Sequence, residues 1–412
     1  VLAESITTIS EDSELVYRRC LVPHIDSCLR IDYCDSRKGI EFDNSNMDQF
    51  ERFATVYAEG GRWNDAAAIQ EKILHTKGDL LGKDSFEALD AMTVLARSYW
   101  NSSQAGKALR LQSSIWDLSK GKLGPFDPRT LQAMDSLSRT LWLCGSISKA
   151  DKLAQQSYEG LAQIMGPDHP YTLSAMHSFG RTRLHLEDLK KAQELLLRAW
   201  EGRAKLFGAT HLDTLETMQD LGMTCLALKE IEEAEKLVSF VLDCRKRLLG
   251  DEHAHTLWSI NDLAKVYCAQ GYPEDAIVLL IPTREIATRT LVVTHIGTTM
   301  TIFNLSRAYL LSTHFHKAEI ILTDLIETET KALGPTHPDI FSAKMELAEV
   351  LMKMGKVHKS EKQCQEAIEG VSMLFGPESP RTIKAKARQA AICKLGDRPH
   401  PALISSFRTT EI

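Results

Sequence analysis

The stretch Met165-Gly166-Pro167-Asp168-His169-Pro170-Tyr171-Thr172-Leu173 decides how this chain folds. Parts of this motif recur along most of the sequence, and each recurrence contains a glycine. These glycines are Gly82, Gly124, Gly166, Gly208, Gly250, Gly334 and Gly376. Their successive differences are 42, 42, 42, 42, 84 and 42, so one place, at Val292, lacks its glycine. A fixed period of this length indicates stacked supersecondary units, each of which packs on its neighbours.

Each repeat predicts two α-helices. In the repeat that follows His169, Pro170 suits the first turn of a helix, where its missing N–H costs no hydrogen bond. Apolar residues then recur at helical spacing in two runs, on either side of a polar turn near Asp188. Gly208 follows the second run and suits a C-terminal cap that has a positive φ. The repeats therefore predict an all-α fold made of helical hairpins.

A small residue at one fixed position of the second helix predicts close contact between helix backbones. This position holds Ala66, Ala108, Ala150, Ala192, Ala234, Ala276, Ala318 and Ser360. It gives eight helical pairs, and a last helix near residues 380–394 is predicted to cap the open end of the array. The basic side chains of this last helix are expected to face solvent. They are Lys384, Lys386, Arg388 and Lys394.

The predicted organisation has three parts. Residues 1–46 form a helical lead-in and a loop, residues 47–395 form the eight pairs and the capping helix, and residues 396–412 form a flexible tail. The chain starts at Val1 and shows no basic-then-apolar leader, so we expect it to be part of a longer protein.

The composition argues against nucleic-acid and membrane partners. Of the 412 residues, 43% are hydrophobic and 25% are charged, which is typical of a soluble globular protein. The net charge of -6 gives no reason to expect nucleic-acid binding, and no apolar run reaches the roughly 18 residues that span a bilayer. The 9 irregularly spaced cysteines favour buried free thiols in a reducing compartment. We expect a cytoplasmic domain that is monomeric when isolated.

Motifs for catalysis or metal binding are missing from the sequence. It holds no Gly-x-x-x-x-Gly-Lys-Ser/Thr phosphate loop and no Cys-x-x-Cys pair. Histidines recur 42 residues apart at the hairpin joints, as His169, His211, His253, His295 and His337. Because zinc needs three or four converging ligands, we expect each of them to hydrogen-bond its own turn instead. We predict no catalytic residue, no metal and no cofactor.

The small-residue and aromatic pattern resembles tetratricopeptide repeats. The period and the Leu-Gly-x-x-His-Pro-x-Thr-Leu joint resemble the kinesin light chain variety over about residues 48–394. Residues 259–271, Ser-Ile-Asn-Asp-Leu-Ala-Lys-Val-Tyr-Cys-Ala-Gln-Gly, match that variety most closely. The same repeats form the C-terminal part of fungal NB-ARC/STAND (NLR-like) signalling ATPases. Residues 20–29, Cys-Leu-Val-Pro-His-Ile-Asp-Ser-Cys-Leu, look like the segment that joins the ATPase module to the repeats there.

The resemblance implies a right-handed tetratricopeptide superhelix whose first helices line a concave groove. Kinesin light chains bind short acidic peptides in that groove. A non-enzymatic protein-binding domain is therefore implied, and two contexts stay open. The chain is either the sensing part of a nucleotide-dependent signalling protein or a free-standing adaptor similar to a kinesin light chain.

One groove-facing position of the first helix repeats as a row of cations. It holds Arg97, Arg139 and Arg181 in successive units, then, after a gap at Met223, Lys265 and Arg307, and it ends with Glu349. Trp100 and Trp142 follow the first two arginines at a distance of three residues. Asn261 matches the asparagine with which kinesin light chains hold a ligand backbone, whereas Arg139 and Arg181 depart from that family. We predict that an acidic or phosphorylated peptide lies along this row. The alternative is a solvated face whose cations pair with Asp90, Asp135 and Glu216.

The repeat unit of residues 273–313 is predicted to be the least stable one. Pro282 stands inside its second helix, where a proline removes a hydrogen bond and costs about 3 kcal/mol. Val292 replaces its glycine cap. We expect the backbone amides of this unit to exchange with deuterium faster than those of the units on either side. Uniform protection across the three units would contradict the prediction.

Overall fold

The computed structural model describes residues 6, 12–34, 46–291 and 295–396. Across these residues it contains nineteen α-helices and no β-strand, which confirms the predicted all-α fold class. Three predicted features lie outside the described residues. They are the loop of residues 35–45, the replaced cap at Val292 and the tail after residue 396.

Eight helical hairpins follow two lead-in helices, α1 (Asp12–Cys20) and α2 (Val22–Cys34). Hairpins 1 to 4 are α3 (Met47–Glu59) with α4 (Trp63–Leu81), α5 (Phe86–Asn101) with α6 (Ala105–Leu123), α7 (Pro128–Leu143) with α8 (Ile147–Met165), and α9 (Pro170–His185) with α10 (Leu189–Phe207). Hairpins 5 to 8 are α11 (Leu212–Ala227) with α12 (Ile231–Leu249), α13 (Ala254–Gln270) with α14 (Pro273–Thr290), α15 (Ile296–Leu311) with α16 (Phe315–Leu333), and α17 (Pro338–Lys353) with α18 (Val357–Phe375). The single helix α19 (Pro380–Gly396) comes last.

Contacts divide the chain into two compact units, Val1–Ser259 (unit 1) and Ile260–Ile412 (unit 2). In unit 1 each helix from α3 to α12 packs on the next one, and in unit 2 the same holds from α14 to α19. No feature of the sequence predicts this division. The predicted extents of the lead-in, the array and the tail stay predictions.

Histidine caps the first helix of five hairpins. In hairpin 4 the backbone N–H of Tyr171 donates to Nδ1 of His169 over 3.2 Å. The equivalent bond measures 3.2 Å at His211, 3.1 Å at His253, 3.0 Å at His295 and 3.4 Å at His337. Each ring nitrogen thereby satisfies a backbone donor that the helix itself leaves without a partner. The prediction that these histidines hydrogen-bond their own turns is confirmed.

The glycines that mark the period follow the last residues of the second helices. Their φ angles range from 84° at Gly334 to 93° at Gly82, a region that strains any residue with a Cβ. In hairpin 6, α14 runs unbroken past Pro282 and is followed by Leu291, whose φ is -104°. The carbonyl that Pro282 leaves without its helical partner belongs to Val278, whose side chain lies on an exposed face, 70% accessible. The predicted low stability of residues 273–313, which span α14 of hairpin 6 and α15 of hairpin 7, stays a prediction.

Small residues set the distance between the helices of a hairpin. The fixed second-helix position, from Ala66 to Ser360, is 0% exposed in all eight hairpins. Glycine adds further close approaches in hairpin 4, where α9 meets α10. A Cβ at Gly202 would lie 2.6 Å from Leu173 Cδ2, and one at Gly180 would lie 2.8 Å from Leu196 Cγ. The two helices pack at this distance only because no Cβ is present.

The capping helix differs from the prediction at one side chain. Lys384 and Lys386 are exposed, but Arg388 does not face solvent freely. Its Nη2 lies 2.8 Å from Glu346 Oε1 and 3.1 Å from Glu349 Oε2, both on α17. The expectation was wrong for Arg388 because α19 packs on α17 as well as on α18, which turns this residue towards two carboxylates.

Two glycine-to-alanine exchanges in unit 1 are expected to have opposite effects. Gly202→Ala places a methyl group against Leu173, so it should lower the free energy of unfolding by about 1–3 kcal/mol, despite the better helix propensity of alanine. Gly121→Ala lies in the exposed part of α6 with no atom within 4 Å of its new Cβ, so it should raise that free energy by about 0.5–1 kcal/mol. Urea unfolding followed by circular dichroism measures both. Equal effects of the two variants would contradict the close approach.

Candidate functional site

The predicted row of cations forms a ladder with tryptophans on the first helices α5, α7 and α9 of unit 1. The guanidinium of Arg139 lies 5.4 Å from the ring centre of Trp100, one hairpin earlier. Arg181 repeats this arrangement over Trp142 at 5.2 Å. Such contacts between a cation and an aromatic face are attractive and hold the guanidinium in place. The 42-residue period thus produces the same pair twice, in register.

Two carboxylates of α11 neutralise the deeper part of this ladder. Arg181 Nη2 lies 2.6 Å from Glu216 Oε1, and Arg181 Nε lies 2.6 Å from Asp220 Oδ2. Arg139 Nη2 reaches the same Glu216 oxygen over 3.4 Å. Glu216 therefore joins α7, α9 and α11, the first helices of three successive hairpins. Arg181 is only 7% exposed, so it serves this internal network.

The pKa values of the two carboxyls show how strongly the arginines hold them. Burial by itself would raise the pKa of Glu216, but Arg139 and Arg181 keep it well below its usual range. Burial opposes ionisation of Asp220 as well, yet Arg181 and the hydrogen bond from His177 lower its pKa to about 2. Both groups are therefore charged at neutral pH, and the network holds its ion pairs in a site of low solvent access.

His177 and Arg203 complete the network. His177 is 1% exposed, and its Nε2 lies 2.8 Å from Asp220 Oδ2. Burial, followed by the charge of Arg181, lowers the pKa of His177, so the ring is neutral and donates this bond. Arg203 of α10 donates from Nη1 to the Asp213 carbonyl and to Thr217 Oγ1, each over 2.8 Å.

Sequence reasoning did not assign Asp220 or Arg203 to the site. One signal was present in the repeat. Arg203 and Arg245 stand 42 residues apart at a position that Leu161 fills one repeat earlier, and both arginines are buried. Arg245 also donates from Nη1 to the backbone carbonyl of His255 over 3.1 Å, on the next first helix. Charged residues that repeat at a core position predict a buried polar network.

The accessible part of the ladder in unit 1 is its first two rungs. Arg97 is exposed on α5, and no ion pair involves it among the described residues. The side chain of Arg139 is 30% exposed. Asp90, which the alternative pairs with these cations, is exposed. Asp135 instead accepts a hydrogen bond from Ser174 over 3.2 Å.

The predicted residues of unit 2 differ in how much of each is accessible. Asn261 is 2% exposed; its Nδ2 donates to Thr301 Oγ1 over 2.8 Å, and its Oδ1 accepts from Asn304 over 2.8 Å. Lys265 lies 2.8 Å from Asp262, whereas Arg307 is exposed. The amide of Asn261 therefore links α13 to α15. The assignment of all eight residues to a binding site stays a prediction.

Two kinds of site are absent from the described part of the chain. No group of three or more His, Cys, Asp or Glu side chains there is placed to hold a metal ion. None of the described helices combines the length and the apolar character that crossing a bilayer requires.

Comparisons with known sequences identify the repeat. A tetratricopeptide repeat profile matches residues 129–205 and 183–239. A second tetratricopeptide repeat profile matches residues 256–296. Residues 129–239 and 256–296 are therefore recognised as tetratricopeptide repeats. A comparison with curated proteins found no significant match.

Two solved structures share this fold at a TM-score above 0.5, and a third is similar over half of the chain. A Rap protein complexed with Competence and Sporulation Factor is 10% identical, with a TM-score of 0.57 over 92% of this chain and 98% of its own. NprR in complex with its cognate peptide NprX is 13% identical, with a TM-score of 0.51 over 71% of this chain and 82% of its own. A Podosopora anserina putative kinesin light chain with nearly identical TPR-like repeats is 25% identical, with a TM-score of 0.41 over 50% of this chain and 98% of its own.

Removal of Arg181 is expected to destabilise unit 1. Arg181→Ala leaves Glu216 and Asp220 partly buried without their main partner, which should cost on the order of 2–4 kcal/mol after allowance for solvent access. Arg97→Ala removes an exposed side chain and should change stability by less than about 0.5 kcal/mol. Thermal and urea unfolding of both variants measure the difference. Equal stability of the two variants would show that the network contributes nothing.

Proposed function

We propose that this chain is a non-enzymatic protein-binding domain that holds an extended acidic or phosphorylated segment of a partner along α5 and α7. The observation that carries the proposal is the pair of accessible arginines, Arg97 and Arg139, one hairpin apart on neighbouring first helices. Arg139 is held over Trp100, so part of its conformational freedom is lost before a ligand arrives. Anionic side chains about three residues apart in an extended ligand would each meet one of these cations.

The geometry favours an extended ligand over a compact one. Packed helices lie roughly 8–10 Å apart, and an extended peptide advances roughly 3.3 Å per residue. Successive rungs would therefore meet about every third ligand residue. Arg181 takes no direct part in ligand binding, because its guanidinium is already paired with Glu216 and Asp220.

Charge alone does not account for useful affinity. A charge-assisted hydrogen bond contributes about 1.5–3 kcal/mol, and less where water reaches it. Two such contacts fall short of the roughly 8 kcal/mol of micromolar binding. Apolar ligand side chains must therefore pack beside the rungs. Val94, which is 39% exposed and one turn before Arg97, and the partly exposed Trp100, one turn after it, offer that surface on α5.

The fold comparisons support a peptide ligand. The Rap protein and NprR, whose chains share this fold, were solved with a factor and with a cognate peptide bound. A repeat array of this kind exposes a continuous row of first helices, which suits a linear segment.

For the cellular role, we propose the sensing part of a cytoplasmic, NLR-like, nucleotide-dependent signalling protein, monomeric as an isolated domain. The segment of residues 20–29, which forms the end of α1 and part of α2, supports this proposal by its resemblance to the joining segment of such proteins. A free-standing adaptor is the second candidate, because residues 259–271 resemble kinesin light chains. An upstream phosphate loop in the full-length gene favours the first, and an upstream heptad coiled coil favours the second.

A peptide-library screen tests the ligand. The wild type is expected to select acidic or phosphorylated peptides. The double variant Arg97→Glu with Arg139→Gln should lose at least about tenfold in affinity for them, equal to about 1.4 kcal/mol. Glutamine is chosen at Arg139 because it places no second carboxylate beside Glu216.

Arg110→Glu is the matched control. Arg110 is exposed on α6 of the same hairpin as Arg97, so its exchange changes the charge without touching the row. It should leave the affinity within about twofold. Selection of basic or purely apolar peptides by the wild type, or of the same peptides by the double variant, would overturn the proposal.

A further inference from the structure

The two ends of unit 1 meet. Helix α1 packs on α12, and Arg19 Nη1 of the lead-in donates to the Leu248 carbonyl over 3.4 Å, across 229 positions of sequence. Beside this bond, the ring of Trp63, at the start of α4, lies 5.5 Å from the ring of His253 and 5.7 Å from that of His255. Hairpin 1 and the lead-in therefore close onto the joint before α13.

His253 stands at the centre of this contact. It is 8% exposed, and its Nδ1 accepts the N–H of His255 as the cap of α13. The turn between α3 and α4 lies directly on the ring, since a Cβ at Gly61 would be 3.0 Å from His253 Cδ2. On the same side, the ring is hydrogen-bonded to the backbone of Glu59. A neutral imidazole satisfies both bonds, one nitrogen accepting and the other donating to the Glu59 carbonyl.

Basic groups on three elements lower the pKa of His253. They are Arg19 of α1, Arg245 of α12 and His255 of α13, while the backbone of Glu59 on α3 acts in the opposite direction. The carboxylate of Glu59 is bound by Arg18, 2.7 Å from its Nε. Burial first, and then these neighbouring groups, hold the pKa of His253 well below 6.5.

We propose that this contact of α1 and hairpin 1 with the turn before α13, called the clasp below, opens when a single proton binds His253. Protonation of His253 turns Nδ1 from an acceptor into a donor that faces the N–H of His255. It also adds a positive charge beside Arg19 and Arg245. The hydrogen bond that caps α13 and the packing of the α3–α4 turn against the His253 ring are then both lost. As a result, α1 and hairpin 1 separate from the turn before α13.

The sign of the pH dependence follows from the neutral ring. The closed form binds the proton less well than the open form, so closure is complete above the ordinary histidine value of about 6.5 and weakens as the pH falls below it. For one proton, the ratio of closed to open chains falls by up to about tenfold per pH unit until the depressed value is reached.

Hydrogen exchange of the full chain measures the clasp without any ligand. The amides of α1 and of the turn at Gly61 are compared at pH 7.5 and pH 5.5, after correction for the intrinsic exchange rate. Wild type should lose about tenfold in the protection of these two segments at the lower pH, while the centre of α7 keeps its protection. Unchanged protection of α1 would overturn the proposal.

Two asparagine variants distinguish the role of His253 from that of the equivalent capping histidines in other hairpins. Asparagine caps a helix and does not titrate, so His253→Asn should make the protection of α1 independent of pH. His211→Asn makes the same exchange at a joint that the clasp does not touch, and it should keep the wild-type pH dependence. A pH-dependent loss that persists in His253→Asn would assign the proton to another group and overturn the proposal.

A third variant covers the case in which His253→Asn opens the clasp at every pH. Arg19→Gln removes one of the charges that disfavour protonation of the closed form, so it should raise the pH at which the loss of protection levels off. An unchanged levelling-off pH would contradict the proposal. The consequence for ligands, easier access to the first helices, rests on the proposed function. It is measured separately as peptide affinity at the two pH values, so a failure to bind peptide leaves the exchange result standing.

Discussion

The close approach of helix backbones at positions without large side chains is the constraint on which the rest of this structure depends. The fixed second-helix position is fully buried in all eight hairpins, from Ala66 to Ser360. At Gly202 and Gly180 even a methyl group would collide with a neighbouring leucine. Because every hairpin must pack on the next with the same spacing, the small residue recurs with a constant period. The 42-residue repeat of the sequence is the consequence of this packing rule.

Within that framework, the buried ion pairs decide which part of the basic row stays accessible. A guanidinium that is 7% exposed needs partners, and Glu216 and Asp220 supply them to Arg181 from α11. Glu216 also pairs with Arg139, which lies two hairpins back. The candidate ligand surface is thereby limited in unit 1 to Arg97 and Arg139. In the same unit, the lead-in helix α1 packs on α12.

Much of the fold and part of the site could be predicted from the sequence. Helix ends followed from local chemistry, since His169 caps its own turn and Gly208 has the positive φ that the joint requires. The cation ladder was found because Arg139 and Arg181 repeat at one position. Their partners were not assigned to the network correctly: Glu216 appeared only in the alternative, and Asp220 was missed. Arg388 was expected to face solvent for the same reason, because nothing near it in sequence shows that α17 brings two carboxylates to it.

The sequence by itself determined the number of hairpins, their caps and the residues that face the core, because these depend on contacts within one repeat or between adjacent ones. Only the tertiary structure decided which charges are neutralised and which surfaces meet. Those outcomes depend on how small rotations between successive hairpins add up over several repeats. The contact of Trp63 with His253 is of this kind. A periodic sequence specifies each step, but the distance between residues several repeats apart is set by the accumulated curvature of the packed helices.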